Sequence, residues 1–129
     1  MPKIINPPNM PQVMGAFSRG VLADPGRLLF VSGHTAVDES GQLVGKGDAG
    51  AQTRRTLENI KLVVEAAGGG IRDIVSVTIY LVDTKDYQAM NEVRREFFKD
   101  QPPTSATVVV KDLVRPGALV EISAVAVIR

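Results

Sequence analysis

The chain has 129 residues, 44% apolar and 22% charged, which fits one globular domain over residues 1–129. Its 15 basic and 14 acidic side chains leave a net charge of +1, and 5% of residues are aromatic, which argues against a nucleic-acid partner. No cysteine is present, and no apolar run approaches the roughly 20 residues of a membrane helix. We therefore expect a cytoplasmic protein without membrane contact.

Three strands are predicted ahead of the first helix, and bounds can be given for two of them. Residues 7–11 contain three prolines and should form an extended lead-in, because proline cannot donate a ladder hydrogen bond. One strand is expected near residues 17–22 and another over residues 27–33. The sequence between them, Ala-Asp-Pro-Gly, is typical of a turn.

Two helices follow, separated by a strand. The first is expected to begin after Asp48, a good N-terminal cap, and to end at the three glycines of residues 68–70. The β-branched residues of 71–82 predict a strand. Residues 84–99 predict the second helix, and Pro102 and Pro103 separate it from two terminal strands. The predicted order is β-β-β-α-β-α-β-β, with a weak first strand.

The terminal strands are apolar on both faces. Val108 alternates with Val109, and Val120 and Ile122 alternate with Leu119 and Val125. Two helices can cover only one face of a sheet, so the other face needs a different cover. Self-association with closed symmetry is the simplest one.

Several segments, in this order and spacing, make the chain similar to the RidA/YjgF family. They cover nearly the whole chain: MGAFSRGV at 14–21, FVSG at 30–33, AQTRRTLENI at 51–60, VEAAG at 64–68, DIVSVTIYLVD at 73–83, MN at 90–91, FF at 97–98, PTSATVVVKDL at 103–113 and ALVEISAVAV at 118–127. The resemblance implies an α/β (α+β), chorismate-mutase-like fold, with a mixed sheet of about six strands and two helices on one face. It also implies a homotrimeric barrel with small-molecule pockets at the subunit interfaces.

The same resemblance implies an activity. Active members hydrolyse enamine and imine intermediates and release ammonia, using an arginine that grips the substrate carboxylate and an acidic group that handles protons. No cofactor or metal is expected. Four positions match the family pattern, namely Ser32, Gly33, Asn91 and Glu121.

Five positions depart from that pattern. The arginine falls on Ser105, the second acid of the last strand on Ser123, the strand tyrosine on Phe17, the cysteine on Thr107, and the last residue of a Ser-Gly-Gln turn on His34. Serine cannot supply a planar cationic fork. The chain therefore resembles the arginine-lacking branches of the family, some of which act on aminomuconate-type compounds.

The candidate residues also have structural interpretations. His34 and Glu121 are the predicted proton carriers, but His34 could be a turn residue and Glu121 an intersubunit ion pair. Asn91 could line the pocket or have a surface or capping role. Phe17, Ser32, Gly33, Ser105, Thr107 and Ser123 are the remaining predicted substrate-binding residues.

Two functions follow from these predictions. The first is a RidA-like deaminase or related hydrolase acting on a small amino-compound metabolite, with water as the nucleophile. The second is a non-catalytic trimer that binds a small molecule or has a regulatory role, which the absent arginine favours. The near-zero net charge makes a ribonuclease the poorest alternative.

Overall fold

A computed structural model describes residues 2–129. Six strands and two α-helices lie in that part of the chain, in the predicted order. The elements are β1 (Lys3–Ile5), β2 (Gly20–Leu22), β3 (Arg27–His34), α1 (Ala49–Ala66), β4 (Ile74–Leu81), α2 (Tyr87–Phe97), β5 (Thr104–Val109) and β6 (Val120–Ile128).

Four strands form a mixed sheet in the order β3-β6-β4-β5. β6 is antiparallel to both β3 and β4, whereas β4 and β5 are parallel because α2 carries the chain back across the sheet between them. β1 and β2 pair antiparallel in a separate two-stranded sheet. The predicted α+β fold is confirmed, with its six strands divided between two sheets.

Both helices pack on one face of the four-stranded sheet. α1 buries an apolar stripe, with Leu57, Ile60 and Val64 at most 1% exposed. It meets alternate residues of the sheet, including Val77 and Ile122. Burial of a large aliphatic side chain stabilises a fold by about 1.5–3 kcal/mol, so this layer holds the sheet and helices together.

The ends of α1 follow its sequence. The carboxylate of Asp48 accepts a hydrogen bond from the backbone N–H of Ala51 at 3.0 Å and so caps the first turn. At the other end Gly68 has φ of 92°, a left-handed conformation that glycine adopts without strain. The predicted cap and stop are both confirmed.

Three predicted boundaries were wrong. Residues 17–19 are not part of a strand, because nearby backbone groups bond elsewhere: the N–H of Ser18 donates to the carbonyl of Pro103 at 3.0 Å. Ile71–Asp73 and Thr84–Asp86 are 3₁₀ turns instead of the first residues of β4 and α2. In the second turn Asp83 accepts from the N–H of Lys85 at 2.9 Å, a local bond that competes with regular structure.

The other face of the four-stranded sheet carries no helix, and we call it the open face. Large apolar side chains protrude there, with Leu28 62%, Phe30 72% and Val108 43% exposed. The single chain therefore leaves uncovered the face for which the sequence predicts a cover. Between residues 2 and 129, neither helix is long and apolar enough to cross a membrane.

Candidate substrate-binding site

A buried arginine lies between α2 and β5. Arg94 lies in the last turn of α2 and is 1% exposed. Residues 98–103 join α2 to β5, so Ser105, near the start of β5, lies next to the Arg94 side chain. We call Phe17, Tyr87, Asn91, Arg94 and Ser105 the Arg94 cluster.

Hydrogen bonds to neutral groups surround the guanidinium. Nη1 donates to Ser105 Oγ at 2.9 Å, and Nη2 donates to Tyr87 Oη at 3.1 Å. Nη2 and Nε both donate to Asn91 Oδ1, at 2.7 and 3.2 Å. Each acceptor is fixed by an element of the fold, so the position of the guanidinium is well determined.

Asn91 joins the cluster to the segment that precedes β2. Its Oδ1 also accepts the backbone N–H of Ala16 at 2.9 Å, and the residue is only 8% exposed. The surface position that the sequence left open for Asn91 is therefore wrong. The bond to Ala16 holds the backbone so that the next side chain, Phe17, lies beside Arg94.

Aromatic rings and a glycine complete the packing. The guanidinium carbon lies 5.7 Å from the centroid of the Phe17 ring and 5.8 Å from that of Tyr87. A Cβ on Gly15 would lie 2.5 Å from Tyr87 Oη and 3.0 Å from Arg94 Nη2. Glycine at position 15 therefore allows the backbone to approach the cation.

A cleft of about 380 Å³ opens next to the cluster. Phe17 and Ser105 line it, together with Ile5, Pro7, Met10, Ser18, Arg19, Gly20 and Thr104. Its wall is apolar over most of its area, with Ser18, Arg19, Thr104 and Ser105 as the polar lining residues, and its size suits a small metabolite.

A second cluster lies at the end of β3 and comprises Ser32, Gly33, His34 and Glu121. His34 Nδ1 lies 2.7 Å from the carbonyl oxygen of Ser32. A carbonyl can only accept, so Nδ1 is the donor of this hydrogen bond, which leaves Nε2 as the ring nitrogen that can take up a proton. The carboxylate of Glu121 packs against Gly33, where a Cβ would collide with it.

The two clusters lie apart in one chain. Val120 and Ile122 are buried, so Glu121 and Ser123 point to the open face by strand alternation. Ser105 and Thr107 pair in register with the buried residues Val77 and Ile79, and therefore point to the helix-covered side. Their hydroxyls lie 3.4 Å apart, on the edge strand of the sheet.

Ser123 belongs to neither cluster. It lines a shallow cleft of about 170 Å³ on the open face, with Phe30, Ser76, Thr78 and Val125 among its neighbours. The predicted site residues therefore lie in three places. Near Arg94 are Phe17, Asn91, Ser105 and Thr107. At the end of β3 are Ser32, Gly33, His34 and Glu121, and Ser123 alone lies in this cleft.

Two arginines bear on the site: Arg19 lines the cleft, and Arg94 lies buried next to Ser105. Burial lowers the pKa of the Arg94 guanidinium, because the charged form loses hydration. Over residues 2–129, no group of three or more His, Asp or Glu side chains could hold a metal ion.

Arg94 is not among the site residues predicted from the sequence. The available signal was spacing, since Tyr87, Asn91 and Arg94 recur at intervals of four and three residues and share one side of a helix. That signal alone does not separate a buried polar stripe from a solvated one.

Comparison with known proteins gives the family. Residues 8–128 match the model of the family described as endoribonuclease L-PSP. A RutC family protein of Pyrococcus horikoshii is 40% identical over 127 residues, covering 98% of both chains.

Solved structures agree with this assignment. A Rid family protein, YyfB of Yersinia pestis, is 33% identical, with a TM-score of 0.91 and 98% of both chains covered. The YjgF gene product of E. coli is also 33% identical, with a TM-score of 0.74 and coverage of 98% of this chain and 99% of its own. The chain therefore belongs to the endoribonuclease L-PSP family, the family of the Rid, RutC and YjgF proteins.

Proposed function

We propose that this protein is an enamine or imine deaminase, or a related hydrolase, acting on a small amino-compound metabolite. The observation that carries the proposal is the cleft of about 380 Å³ beside Phe17 and Ser105. It is large enough for a metabolite of a few carbons, and its largely apolar wall includes several polar side chains.

The proposed active unit is a homotrimer with pockets at its interfaces. The exposed Phe30 and Leu28 of the open face give a second copy an apolar surface to cover. His34 and Glu121 lie at a different place on the chain from Ser105, so a complete pocket needs the first pair from one protomer and Ser105 from its partner.

Water is the proposed nucleophile. It adds to the carbon of the C=N bond, and its proton passes to His34 Nε2 or to the carboxylate of Glu121. That proton is passed on to the nitrogen, which leaves an amine and a hydroxyl on the same carbon. The hydroxyl then gives up its proton as the nitrogen takes up a second one, the C–N bond breaks as the C=O bond forms, and ammonia and a carbonyl compound leave. An enamine substrate would first be protonated on carbon to give the imine. Ser32, Gly33, Asn91, Thr107 and Ser123 are the proposed frame, without metal or cofactor.

A non-catalytic binding protein is the second candidate. Ser105 stands where the resemblance has an arginine, so β5 itself offers no cation to position a substrate carboxylate for attack by water. A ribonuclease is disfavoured despite the family's description, because a net charge of +1 provides little attraction for a phosphate backbone.

Ammonia release tests the enzyme. We expect turnover of 2-aminomuconate or iminoglutarate above the solvent rate, weak turnover of iminopropionate, and a loss of about 10²-fold or more in His34→Ala, typical of a removed general base. Absence of turnover on all three, with a metabolite still bound in calorimetry, would favour the binding protein.

Assembly is tested by a matched pair of charge substitutions. Phe30→Asp introduces a charge on the open face, whereas Leu62→Asp does so on α1, where the side chain is 62% exposed. We expect light scattering to find trimers for wild type and Leu62→Asp and monomers for Phe30→Asp. A monomeric wild-type protein at micromolar concentration contradicts the proposed assembly.

A further inference from the structure

Among residues 2–129, no acidic side chain provides a counter-charge for the buried cation Arg94. All its hydrogen-bond acceptors are neutral: two hydroxyls and one amide oxygen. Over residues 2–129, no carboxylate lies within 4.0 Å of the guanidinium; the ion pairs there join Arg54 to Glu96 and Arg129 to Asp24, all exposed. Buried charges in proteins are normally paired, so this arrangement calls for an explanation.

The rings of Phe17 and Tyr87 compensate only part of the charge. Both lie within 6 Å of the guanidinium carbon, at the outer limit of a favourable cation–π contact. The desolvation penalty of a buried ion exceeds what two such contacts return. An apolar side chain of similar length would fill the same space without that penalty.

One N–H group of the Arg94 guanidinium is not used by the hydrogen bonds within residues 2–129. A guanidinium has five N–H groups, and the bonds to Asn91, Tyr87 and Ser105 use four of them. Ser105 Oγ accepts one of these bonds, so its own hydrogen points away from Arg94. That hydroxyl borders the cleft and is polarised by the cation behind it.

We propose that Arg94 and Ser105 together bind the carboxylate of a small anionic metabolite in the cleft. Ser105 donates directly to the carboxylate, and the buried Arg94 supplies positive charge behind that hydroxyl. The cation thus comes from α2 instead of from β5. This assignment rests on the proposed function for the location of the substrate, but concerns binding and not turnover.

Asn91 provides a sharp test, because its Oδ1 already touches two nitrogens of the guanidinium. Asn91→Asp keeps the shape of the side chain and its bond to Ala16, but adds a permanent negative charge beside Arg94. The internal carboxylate then competes with the ligand for the same cation. Arg94→Met removes the charge at similar length, and Arg54→Met is the matched control at an exposed arginine.

The experiment measures binding of pyruvate and 2-oxoglutarate by titration calorimetry and ligand-observed NMR, with methyl pyruvate as the uncharged probe. These keto acids have no C=N bond, so the result does not depend on deaminase activity. We expect both acids to bind wild type and Arg54→Met, and to bind Arg94→Met and Asn91→Asp about ten- to a hundredfold more weakly. Methyl pyruvate should bind all four proteins equally weakly.

Three results would overturn the proposal. One is unchanged keto-acid affinity in folded Arg94→Met or, where that variant does not fold, in Asn91→Asp. Another is absence of keto-acid binding to wild type. The third is dissociation of the assembly by Arg94→Met, which would mean that a second copy of the chain supplies the counter-charge. If the wild-type protein binds the keto acids but releases no ammonia from the imine and enamine substrates, only the proposed deaminase activity is contradicted.

Discussion

Each helix buries a large polar side chain, and the two side chains differ in how completely their polar groups are paired. Gln52 of α1 is 0% exposed and fully satisfied: its amide donates to the carbonyls of Gly45 and Gly117, at 3.2 and 3.1 Å, and its oxygen accepts the N–H of Leu119 at 2.8 Å. Arg94 of α2 is as deeply buried, yet its charge has no opposite partner among the described residues.

This difference separates a structural role from a functional one. A neutral side chain that replaces missing backbone partners stabilises the loops around it, and nothing further is needed to explain Gln52. A cation that meets only neutral acceptors is poorly explained by stability, since its desolvation is incompletely offset. The comparison predicts that stability depends on Gln52 and ligand affinity on Arg94.

The largest stability effect is expected for Gln52→Leu. The substitution leaves the N–H of Leu119 and two carbonyls without partners in a buried place, at about 1 kcal/mol each, so we expect a loss of about 3 kcal/mol. Denaturant unfolding measures it. Gln88→Leu, at an exposed position of α2, is the control and should change stability by less than about 0.5 kcal/mol. A loss below about 1 kcal/mol for Gln52→Leu would remove the structural half of the comparison.

A smaller effect distinguishes two threonines of α1. The hydroxyl of Thr53 donates to the carbonyl of Ala49 at 2.7 Å, whereas that of Thr56 is buried without a partner within residues 2–129. Threonine-to-valine replacement keeps the shape, so Thr56→Val should be more stable than Thr53→Val by about 1 kcal/mol. Thermal unfolding of both variants measures the difference, and the opposite order would show that the hydroxyl of Thr56 has a partner in solution.

The smallest effect is expected at the exposed arginine. Arg54 Nη2 lies 2.6 Å from Glu96 Oε2, but the two side chains are 46% and 55% exposed. Such a pair contributes about 0.5 kcal/mol or less and is screened by salt. A double-mutant cycle of Arg54→Met and Glu96→Gln, at low salt and in 1 M NaCl, should find a coupling that disappears in high salt. A coupling above about 1 kcal/mol would contradict the contrast drawn between Arg54 and the buried arginine.

Much of the fold could be predicted from local patterns. The cap at Asp48, the stop at Gly68 and the buried stripe of Leu57, Ile60 and Val64 depend on residues close together in sequence. The errors at residues 17–19 and 71–73 arose where partners are distant or where a short turn replaces a strand. Ser18 bonds to Pro103, 85 positions away, which no local pattern reveals.

The candidate site was predictable only in part. The resemblance selected Phe17, Asn91 and Ser105, and in the structure these three surround Arg94. Arg94 itself escaped notice because a charged residue next to an apolar helical stripe is normally solvated. Its burial depends on the segment around Gly15 and on β5, which pack against α2 from opposite ends of the chain.

The sequence by itself determined the order of elements, the capped ends of α1 and the apolar layer between helices and sheet, because periodicity and capping act within a few residues. Only the tertiary structure decided which cation meets Ser105 and which face of the sheet stays open. Both depend on contacts between segments far apart in the chain. In the case of Arg94, those contacts also remove water from the charged group.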